Sequence, residues 1–488
     1  MIDKIFLACF FFTLTTFALS AQKISYSQSE KDSEHTIDFN IIGKIDNHYL
    51  VYKHSKASYN IFLYDKEMKL VNKANMNFVP DKIANPEIIL YKDHFNFIYQ
   101  YQEGNIVNCM AAQIDGSGKI IGAPVTLDTT SINFSMNKRI YNVLYSEDKQ
   151  KIMIYRISNK ADTTYITCSL FNEQLKPLDK FSMLVRMQTQ KDFFSEMVLD
   201  NNGSLAFIKV DNLDINKTQS VSLVVKNSYD NNINIYPLDI GKIYLSDIRI
   251  KADNLNNRFL ITGFYLKQRK GNIDGLYCAI WNKSSEQIMV SKQIAFNDQL
   301  KNAMAQASSN IAYLQNIIMR KDGGFAVISE CANSTNHVAY DNVVSTDYYS
   351  STDWDAIVYS SSSADGAIKR DYFAYNITLM SFDSVGSMEW SSVIPKNQYG
   401  NGTYNFIGYS TYQTPDEVNF LFNEASKKST SMQSLKVNAS GEIALNPTLK
   451  KLDRSYAFMP RFAKQVSSNE VLIPCLYKNN LSFAKIEF

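Results

Sequence analysis

The chain has 488 residues and an almost balanced charge, with 50 Lys and Arg against 48 Asp and Glu and a net charge of +2. A near-neutral surface exerts no long-range attraction on nucleic acid or on a charged membrane, so neither is expected as a partner. Aromatic residues make up 13% of the chain, whereas there are only 18 Gly and 10 Pro. Abundant Tyr, Phe, Ile and Val are typical of half-buried sheet surfaces, and the composition therefore predicts an all-β protein.

The N-terminal segment reads MIDKIFLACFFFTLTTFALSAQ. It has Lys4 near its start, an apolar stretch over residues 5–14, and small residues at Ala18, Ser20 and Ala21. This is the three-part pattern of a secretory signal, and its apolar core is too short to span a bilayer comfortably. The segment predicts export of the chain.

We predict a signal peptide over residues 1–21, with cleavage after Ala21, and a single mature domain over residues 22–488. Cleavage after Ser20, which fits the spacing of small residues better, stays open as the alternative. No later segment offers the ~18 uninterrupted apolar residues that a membrane helix needs. The mature chain is therefore expected to contain no transmembrane segment.

The mature sequence repeats a pattern of apolar run and turn, with a new unit every ~45 to 50 residues, which is the period expected for propeller blades. The clearest unit contains four strand-like runs, at residues 39–45, 48–53, 59–65 and 70–79. Comparable units are predicted over residues 86–129, 140–185, 193–240, 246–296, 311–395 and 404–446.

Turn sequences rich in Asp, Asn and Gly separate the strand-like runs. These residues tolerate the left-handed backbone that tight hairpin turns require, so we interpret the turns as structural. They lie at residues 115–118, 201–203, 322–324, 383–386 and 438–441.

The two ends of the mature chain predict how the ring closes. Residues 456–488 yield only three strands, at 457–466, 471–477 and 481–488, while a lone strand-like segment lies at 23–27. A ring closed by its own termini needs this arrangement, because closure protects sheet edges. We therefore predict a β-propeller with eight blades, the last one completed by both termini.

Three other architectures remain open at this stage: a seven-bladed propeller, tandem β-sandwiches and an outer-membrane β-barrel. The unit boundaries are soft by several residues, which leaves seven blades as the nearest alternative. The predicted strands are mostly shorter than the ~9 to 11 residues that cross a bilayer in a barrel, which favours the propeller. Helical periodicity appears only at residues 297–308, where we predict a short linker helix.

Sequence patterns for catalysis or metal binding are missing. There is no G-x-S-x-G, no phosphate-binding loop and no dinucleotide fingerprint, and neither Cys nor His shows metal-ligand spacing. We therefore predict no catalytic residue, no metal and no cofactor. The cysteines beyond the signal segment lie far apart in strand-like runs and are interpreted as buried free thiols. Glu330, at the end of an apolar run, is interpreted as a partnered structural carboxylate rather than a catalytic acid.

The longest departure from the repeat is a Tyr-, Ser- and Asp-rich insertion at about residues 333–373, between strand-like runs at 325–332 and 374–382. If those runs are the second and third strands of a blade, the insertion emerges around the mouth of the central channel. Aromatic faces beside carboxylates stack on and hydrogen-bond to sugars or peptides. The candidate ligand-binding residues are Asp347, Tyr348, Tyr349, Asp353, Trp354 and Asp355. The alternative, a plain polar surface loop, stays open.

Residues 311–428 carry a resemblance to known sequences. It rests on Glu330, on the string from Asp383 and Gly386 through Trp390 to Ile394-Pro395-Lys396-Asn397-Gln398, and on the run from Val418 to Asn423. These residues resemble a group of uncharacterised secreted proteins of Bacteroidota. The resemblance implies a propeller-like β fold and a Gram-negative envelope setting: periplasm, cell surface or extracellular space. It implies no activity and transfers no functional residue.

Together these observations predict an exported, non-catalytic binding or scaffold protein that recognises a glycan, a peptide or an envelope protein. The alternative is a secreted glycan- or peptide-cleaving hydrolase that uses carboxylates at the propeller channel mouth. Such carboxylates meet in space and leave no spacing in the sequence, so the alternative stays open.

Overall fold

A computed structural model describes most of the chain beyond the predicted signal segment. The described residues are 23–31, 38–55, 58–136, 139–160, 162–187, 192–212, 219–228, 230, 232–269, 271–304, 312–336, 370–401, 404–425, 430–446, 455–478 and 480–488. The predicted signal peptide therefore lies outside them.

The strands form eight separate antiparallel sheets arranged in a ring, which is an eight-bladed β-propeller. This confirms the predicted fold and blade number, because the sheets neither stack as two layers nor join into one. Seven of the blades are built from strands that are consecutive in the chain, and the eighth combines strands from its two ends.

The first four blades follow two short N-terminal strands, β1 (Lys23–Tyr26) and β2 (Glu30–Lys31). Blade 1 consists of β3 (Asp38–Ile45), β4 (His48–Ser55), β5 (Ser58–Tyr64) and β6 (Leu70–Asn75). Blade 2 consists of β7 (Ala84–Leu90), β8 (His94–Glu103), β9 (Ile106–Asp115) and β10 (Ile120–Ser131). Blade 3 consists of β11 (Tyr141–Tyr145), β12 (Lys151–Lys160), β13 (Thr163–Asn172) and β14 (Pro177–Arg186). Blade 4 consists of β15 (Phe193–Phe194), β16 (Val198–Leu199), β17 (Leu205–Asp211), β18 (Ser220–Lys226) and β19 (Asn234–Leu238).

The remaining blades include the helix and the closing sheet. Blade 5 consists of β20 (Tyr244–Asp253), β21 (Arg258–Leu266), β22 (Gly275–Asn282) and β23 (Gln287–Ala295), and helix α1 (Asp298–Met304) follows it. Blade 6 consists of β24 (Ala312–Met319), β25 (Phe325–Asn336), β26 (Arg370–Phe382), β27 (Met388–Ile394) and β28 (Gln398–Asn401). Blade 7 consists of β29 (Tyr409–Gln413), β30 (Glu417–Ala425), β31 (Thr430–Asn438) and β32 (Ile443–Leu445). Blade 8 consists of β33 (Tyr456–Phe458), a 3₁₀ turn (Pro460–Phe462), β34 (Lys464–Ser467), β35 (Glu470–Tyr477) and β36 (Asn480–Glu487), and is completed by β1 and β2.

The strand order gives the ring two different faces. The first strands of neighbouring blades contact one another around the ring, for example β3 with β7 and β20 with β24, so the first strand of each blade is the inner one. Because the meander is antiparallel, the links between second and third strands share one face with the links between blades. We call this the loop face. The opposite face, the turn face, carries the remaining hairpins.

The turn face holds all the predicted Asp-, Asn- and Gly-rich turns. Each joins a first to a second strand or a third to a fourth strand, as the bounds above show. Each turn contains a glycine with a positive φ, between 72° and 90°. These glycines are Gly118, Gly203, Gly323, Gly386 and Gly441. Their structural interpretation is confirmed.

The hydrophobic core lies between neighbouring blades rather than inside any one of them. Trp281 of blade 5, for example, is fully buried, with its ring 5.2 Å from Tyr236 of blade 4. The five cysteines beyond the signal segment are all free and buried, as predicted: Cys109, Cys168, Cys278, Cys331 and Cys475. No helix in the described ranges is long and apolar enough to cross a membrane.

Two local predictions need correction or trimming. The predicted strand 457–466 is split into β33 and β34, because Pro460 opens the 3₁₀ turn and has no backbone N–H to donate to a neighbouring strand. The linker helix predicted at 297–308 is observed as Asp298–Met304, and residues 305–308 lie outside the described part of the chain.

The ring closes where the two ends of the chain pair. Strand β1 is antiparallel to β36, with Lys23 opposite Glu487 and Tyr26 opposite Ala484. The ring of Tyr26 stacks on Tyr456 at 4.2 Å. Next to it, the Glu30 carboxylate lies 2.8 Å from the ammonium of Lys53 in blade 1, so the N-terminal segment also holds blade 8 against blade 1.

We expect a chain that begins at residue 32 to be less stable than one that begins at residue 22. Strand β36 loses its outer partner, and Lys53, whose side chain is only 4% exposed, loses its counterion. The free energy of unfolding should fall by roughly 3 kcal/mol or more, measured by urea denaturation. As a control, Val71→Ser on an exposed outer strand should change it by about 0.5 kcal/mol or less. Equal stability of the two chains would contradict closure by β1.

Candidate functional site

The predicted ligand-binding residues lie in an insertion whose two ends the structure places. Asp347, Tyr348, Tyr349, Asp353, Trp354 and Asp355 themselves lie outside the described residues. Strands β25 and β26, on either side, are the second and third strands of blade 6, so the insertion leaves from the loop face, as predicted. Both strands are longer than predicted. The insertion between them therefore spans residues 337–369, instead of the predicted 333–373, and lies outside the described residues.

Blade 6 extends beyond its neighbours at the base of this insertion. Strands β25 and β26 are 12 and 13 residues long, and their pairing continues out to Asn336 opposite Arg370. Strand β28 adds a third strand by pairing with the same part of β26. We call this three-stranded extension, residues 332–336, 370–374 and 398–401, the arm.

Two irregularities separate the arm from the body of blade 6. Strand β26 has a β-bulge, in which Tyr375 and Asn376 lie opposite the single residue Cys331. On its other side, β27 ends at Ile394, Pro395 interrupts the pairing, and the chain pairs again from Gln398 onward. Bulges of this kind often occur beside functional sites because they change the direction of neighbouring side chains.

A buried ion pair lies at this junction. The Lys396 ammonium is 2.7 Å from Glu330 Oε1, and the two side chains are only 1% and 2% exposed. Lys396 also donates to Gln398 Oε1 at 2.8 Å, while its backbone N–H donates to Asn376 Oδ1. Burial lowers the pKa of Lys396 against the opposing effect of Glu330. The interpretation of Glu330 as a partnered carboxylate is thus consistent with its surroundings.

The polar contacts continue into blades 7 and 8. The Gln398 side chain donates to the backbone O of Asn423 at 2.7 Å. Arg461 of blade 8 places a guanidinium nitrogen 3.8 Å from Glu330 Oε2. The Tyr409 hydroxyl is buried nearby, and burial, followed by Glu330, raises its pKa well above the usual value. The junction therefore binds blades 6, 7 and 8 together beneath the loop face.

Residues from separate parts of the segment 311–428 meet at this junction. Glu330, Lys396, Gln398 and Asn423 are distant in the chain but form one connected set of contacts. The lysine and glutamine of the I-P-K-x-Q segment therefore have a physical role, which is to attach the arm to the ring. The sequence alone does not reveal the partner of this segment, because the contact with Glu330 is long-range.

One side of the arm carries a row of aromatic rings. The Phe373 ring is 5.4 Å from Tyr399 on the paired strand and 6.2 Å from Tyr375, to which it is nearly parallel at 4°. Tyr399 is 55% exposed, and its hydroxyl donates to Asp371 Oδ1 at 2.9 Å, which raises the pKa of Tyr399. We call Phe373, Tyr375 and Tyr399 the aromatic strip. The neighbouring Tyr372 is buried, and the strip was not among the predicted ligand-binding residues.

A second group of charged residues consists of Asp247 and Arg249 on the inner strand of blade 5 and Glu196 between β15 and β16 of blade 4. Asp247 Oδ2 accepts a hydrogen bond from the backbone N–H of Leu314 in blade 6, and Asp247 has a positive φ of 47°. Arg249 donates to the backbone O of Leu314 and, at 2.7 Å, to Glu196 Oε2. Burial raises the pKa of Asp247 to about 6, although Arg249 acts in the opposite direction. Asp247 and Arg249 thus hydrogen-bond to the backbone N–H and C=O of Leu314 in β24, on the side of β24 that has no neighbouring strand.

The described side chains include no group of three or more His, Cys, Asp or Glu placed to hold a metal ion.

Comparison with known proteins gives structural similarity only. No family model matches the sequence, and no curated protein matches it. The chain is similar to the WD40 domain of SCAP from fission yeast, with 8% identity over 96% of this chain and 98% of that chain and a TM-score of 0.39. It is similar to the β-propeller domain of the Trilobed protease from Pyrococcus furiosus, with 11% identity over 91% and 98% of the two chains and a TM-score of 0.37.

A third similar structure is prolyl oligopeptidase B from Galerina marginata, with 8% identity and a TM-score of 0.40. The match covers 91% of this chain but only 56% of the oligopeptidase, so the chain spans little more than half of that enzyme. We draw no functional conclusion from similarities this low.

We expect the buried pair at the junction to show strong coupling. Either Lys396→Met or Glu330→Leu alone leaves a buried charge without its partner and should cost about 3 to 5 kcal/mol of stability. The double variant should be closer to the parent chain than either single variant. Urea denaturation of all four chains measures the coupling.

The half-exposed pair Lys436 and Glu417 of blade 7, with Nζ and Oε1 2.8 Å apart, provides a matched control. Glu417→Gln should cost no more than about 1 kcal/mol, since water solvates the remaining charge. Equal and small losses at both pairs would show that the junction does not hold the arm.

Proposed function

We propose that this chain is an exported, non-catalytic binding protein that recognises a glycan, a peptide or an envelope protein at the loop face of blade 6. Export and the Gram-negative setting follow from the N-terminal segment and the resemblance described above. The proposed function is to hold the bound partner on a rigid ring, without catalysing a reaction of that partner.

The arm is the observation that supports this proposal best. Binding sites are often loops placed on a rigid scaffold, and here a long insertion leaves from a paired extension that buried polar contacts attach to three blades. A purely connecting loop needs neither the extra strand β28 nor the buried Lys396–Glu330 pair. Exposed aromatic area on the same arm adds a surface suited to binding.

We expect replacement of residues 337–369 by a short Gly-Ser turn to abolish capture of the native partner. Folding should be unaffected, because Asn336 and Arg370 are already paired and a tight turn can join them. Partner capture is measured with the purified chain against periplasmic and surface extracts and against immobilised glycans, and folding by urea denaturation.

Val385→Ser is the matched control, because Val385 is an exposed residue in a turn-face hairpin. It should leave capture unchanged. Undiminished capture by the chain that lacks 337–369 would contradict the assignment of the site to blade 6.

A hydrolase is the second candidate, and Asp247 is the observation that favours it. A carboxyl group with a raised pKa can hold a proton near neutral pH and donate it to a leaving group. Asp247 Oδ1 is buried and has no hydrogen-bond partner among the residues that the structure describes. Glu196, held by Arg249, would supply the second carboxylate.

We expect the purified chain to release no product from oligosaccharides or peptides, because Asp247 and Arg249 already bind the inner strand of blade 6 through Leu314. Product analysis by chromatography and mass spectrometry tests this. Cleavage that Asp247→Asn abolishes, and that Asp179→Asn on an exposed outer strand does not, would favour the hydrolase over the binding protein.

A further inference from the structure

The register of the arm places a defined set of side chains on one side of it. In a strand, alternate residues share a face, so Asp371, Phe373 and Tyr375 of β26 lie together. Cross-strand partners share that face as well: Tyr399 is opposite Phe373, and Asn401 is opposite Asp371. The ring distances within the aromatic strip agree with this arrangement.

The strip is anchored at one end and open at the other. Tyr375 is half-buried and packs against the core between blades 5 and 6, which fixes its inner end. Tyr399 and Asn401, at the other end, are exposed. The Tyr399 hydroxyl is held by Asp371, which restricts the rotation of its ring and leaves the ring face available.

The chemistry of this surface fits the repeating structure of a sugar chain. The C–H groups on one side of a pyranose ring carry small positive charges and pack against the negative face of an aromatic ring. An amide group at the edge of such a surface hydrogen-bonds with sugar hydroxyls, and the exposed Asn401 lies there. Asp371 is buried and holds the Tyr399 hydroxyl. Successive rings 5.4 and 6.2 Å apart suit an extended ligand better than a compact one.

Charge narrows the class of sugar. Among the described positions that share this face, Asp371 supplies one carboxylate and there is no Lys or Arg. An anionic glycan, such as one rich in uronate or sulfate, would meet that like charge without a compensating cation from these positions.

We propose that the aromatic strip, with Asp371 and Asn401, binds a neutral glycan chain. This inference rests on the proposed function and names the ligand class for the arm. The pyranose rings stack along Tyr399 and Phe373, and their hydroxyl groups hydrogen-bond to Asn401, while Asp371 holds the Tyr399 ring in place. The Tyr399 ring is inclined at 44° to the Phe373 ring, so the two ring faces can contact successive sugar units of a chain. A peptide as the occupant is an alternative outcome of the test.

The test is calorimetric titration of the full mature chain with neutral hexasaccharides of glucose, mannose and xylose, and with uronate oligosaccharides of similar length. We expect at least one neutral hexasaccharide to bind and the uronates not to bind. Tyr399→Ala should weaken binding roughly tenfold or more, and Phe373→Ala should also weaken it. Tyr399→Phe should retain most of the affinity, because the ring face remains.

Tyr145→Ala is the matched control, since Tyr145 is also exposed but lies on an inner strand of blade 3. Its affinity should equal that of the parent chain. Circular dichroism and urea denaturation establish that each variant is folded.

Three other outcomes would overturn the inference. If a peptide or protein is captured in a manner that depends on residues 337–369 and no neutral glycan binds, the assignment of a glycan as the ligand is wrong and the proposed function stands. If uronates bind better than neutral chains, or if Tyr399→Ala binds normally, the strip is not the site. If no partner of any class is captured, both the inference and the proposed function fail.

Discussion

The pairing of β1 with β36 is the interaction on which the rest of the ring depends. Every other blade is made from consecutive strands, whereas blade 8 joins residues from opposite ends of the chain. The stack of Tyr26 on Tyr456 and the ion pair from Glu30 to Lys53 hold that closure on both of its sides. A closed ring fixes each blade against two neighbours, which gives blade 6 a rigid base from which to extend its arm.

The regular meander decides where a binding site can form. Short turns with positive-φ glycines occupy the turn face, so little chain is available there for a ligand. The loop face receives the longer connections, and blade 6 makes the largest use of it. Its arm departs from the regular sheet at a bulge and a Pro stop, and the energetic cost of burying Glu330 and Lys396 is offset by their pairing and by contacts to Gln398 and Arg461. The junction with the bulge and the Pro stop therefore also positions the candidate site.

Much of the fold was predictable from the sequence because strand period, turn chemistry and repeat length are local properties. Turns such as 115–118 and 383–386 are found where their Asp and Gly residues predict them, and the split of the last blade between residues 23–27 and 456–488 follows from counting strands. The candidate site was less predictable. Pairing of Lys396 with Glu330, and of Tyr399 with Asp371, depends on a bulge and a strand break that no periodicity reveals. The insertion was recognised by its Tyr and Asp content, but the aromatic strip belongs partly to β28, which sequence analysis did not identify as a strand.

Hydrogen–deuterium exchange of the mature chain, with and without a bound partner, tests the central claim most directly, since that claim is that ligands bind at the arm of blade 6. Amides of residues 332–336, 370–374 and 398–401 are predicted to exchange more slowly in the complex, while the turn-face hairpins at 115–118 and 383–386 stay unchanged. Protection confined to the turn face, or to inner strands around Asp247 with no change in the arm, would contradict the account.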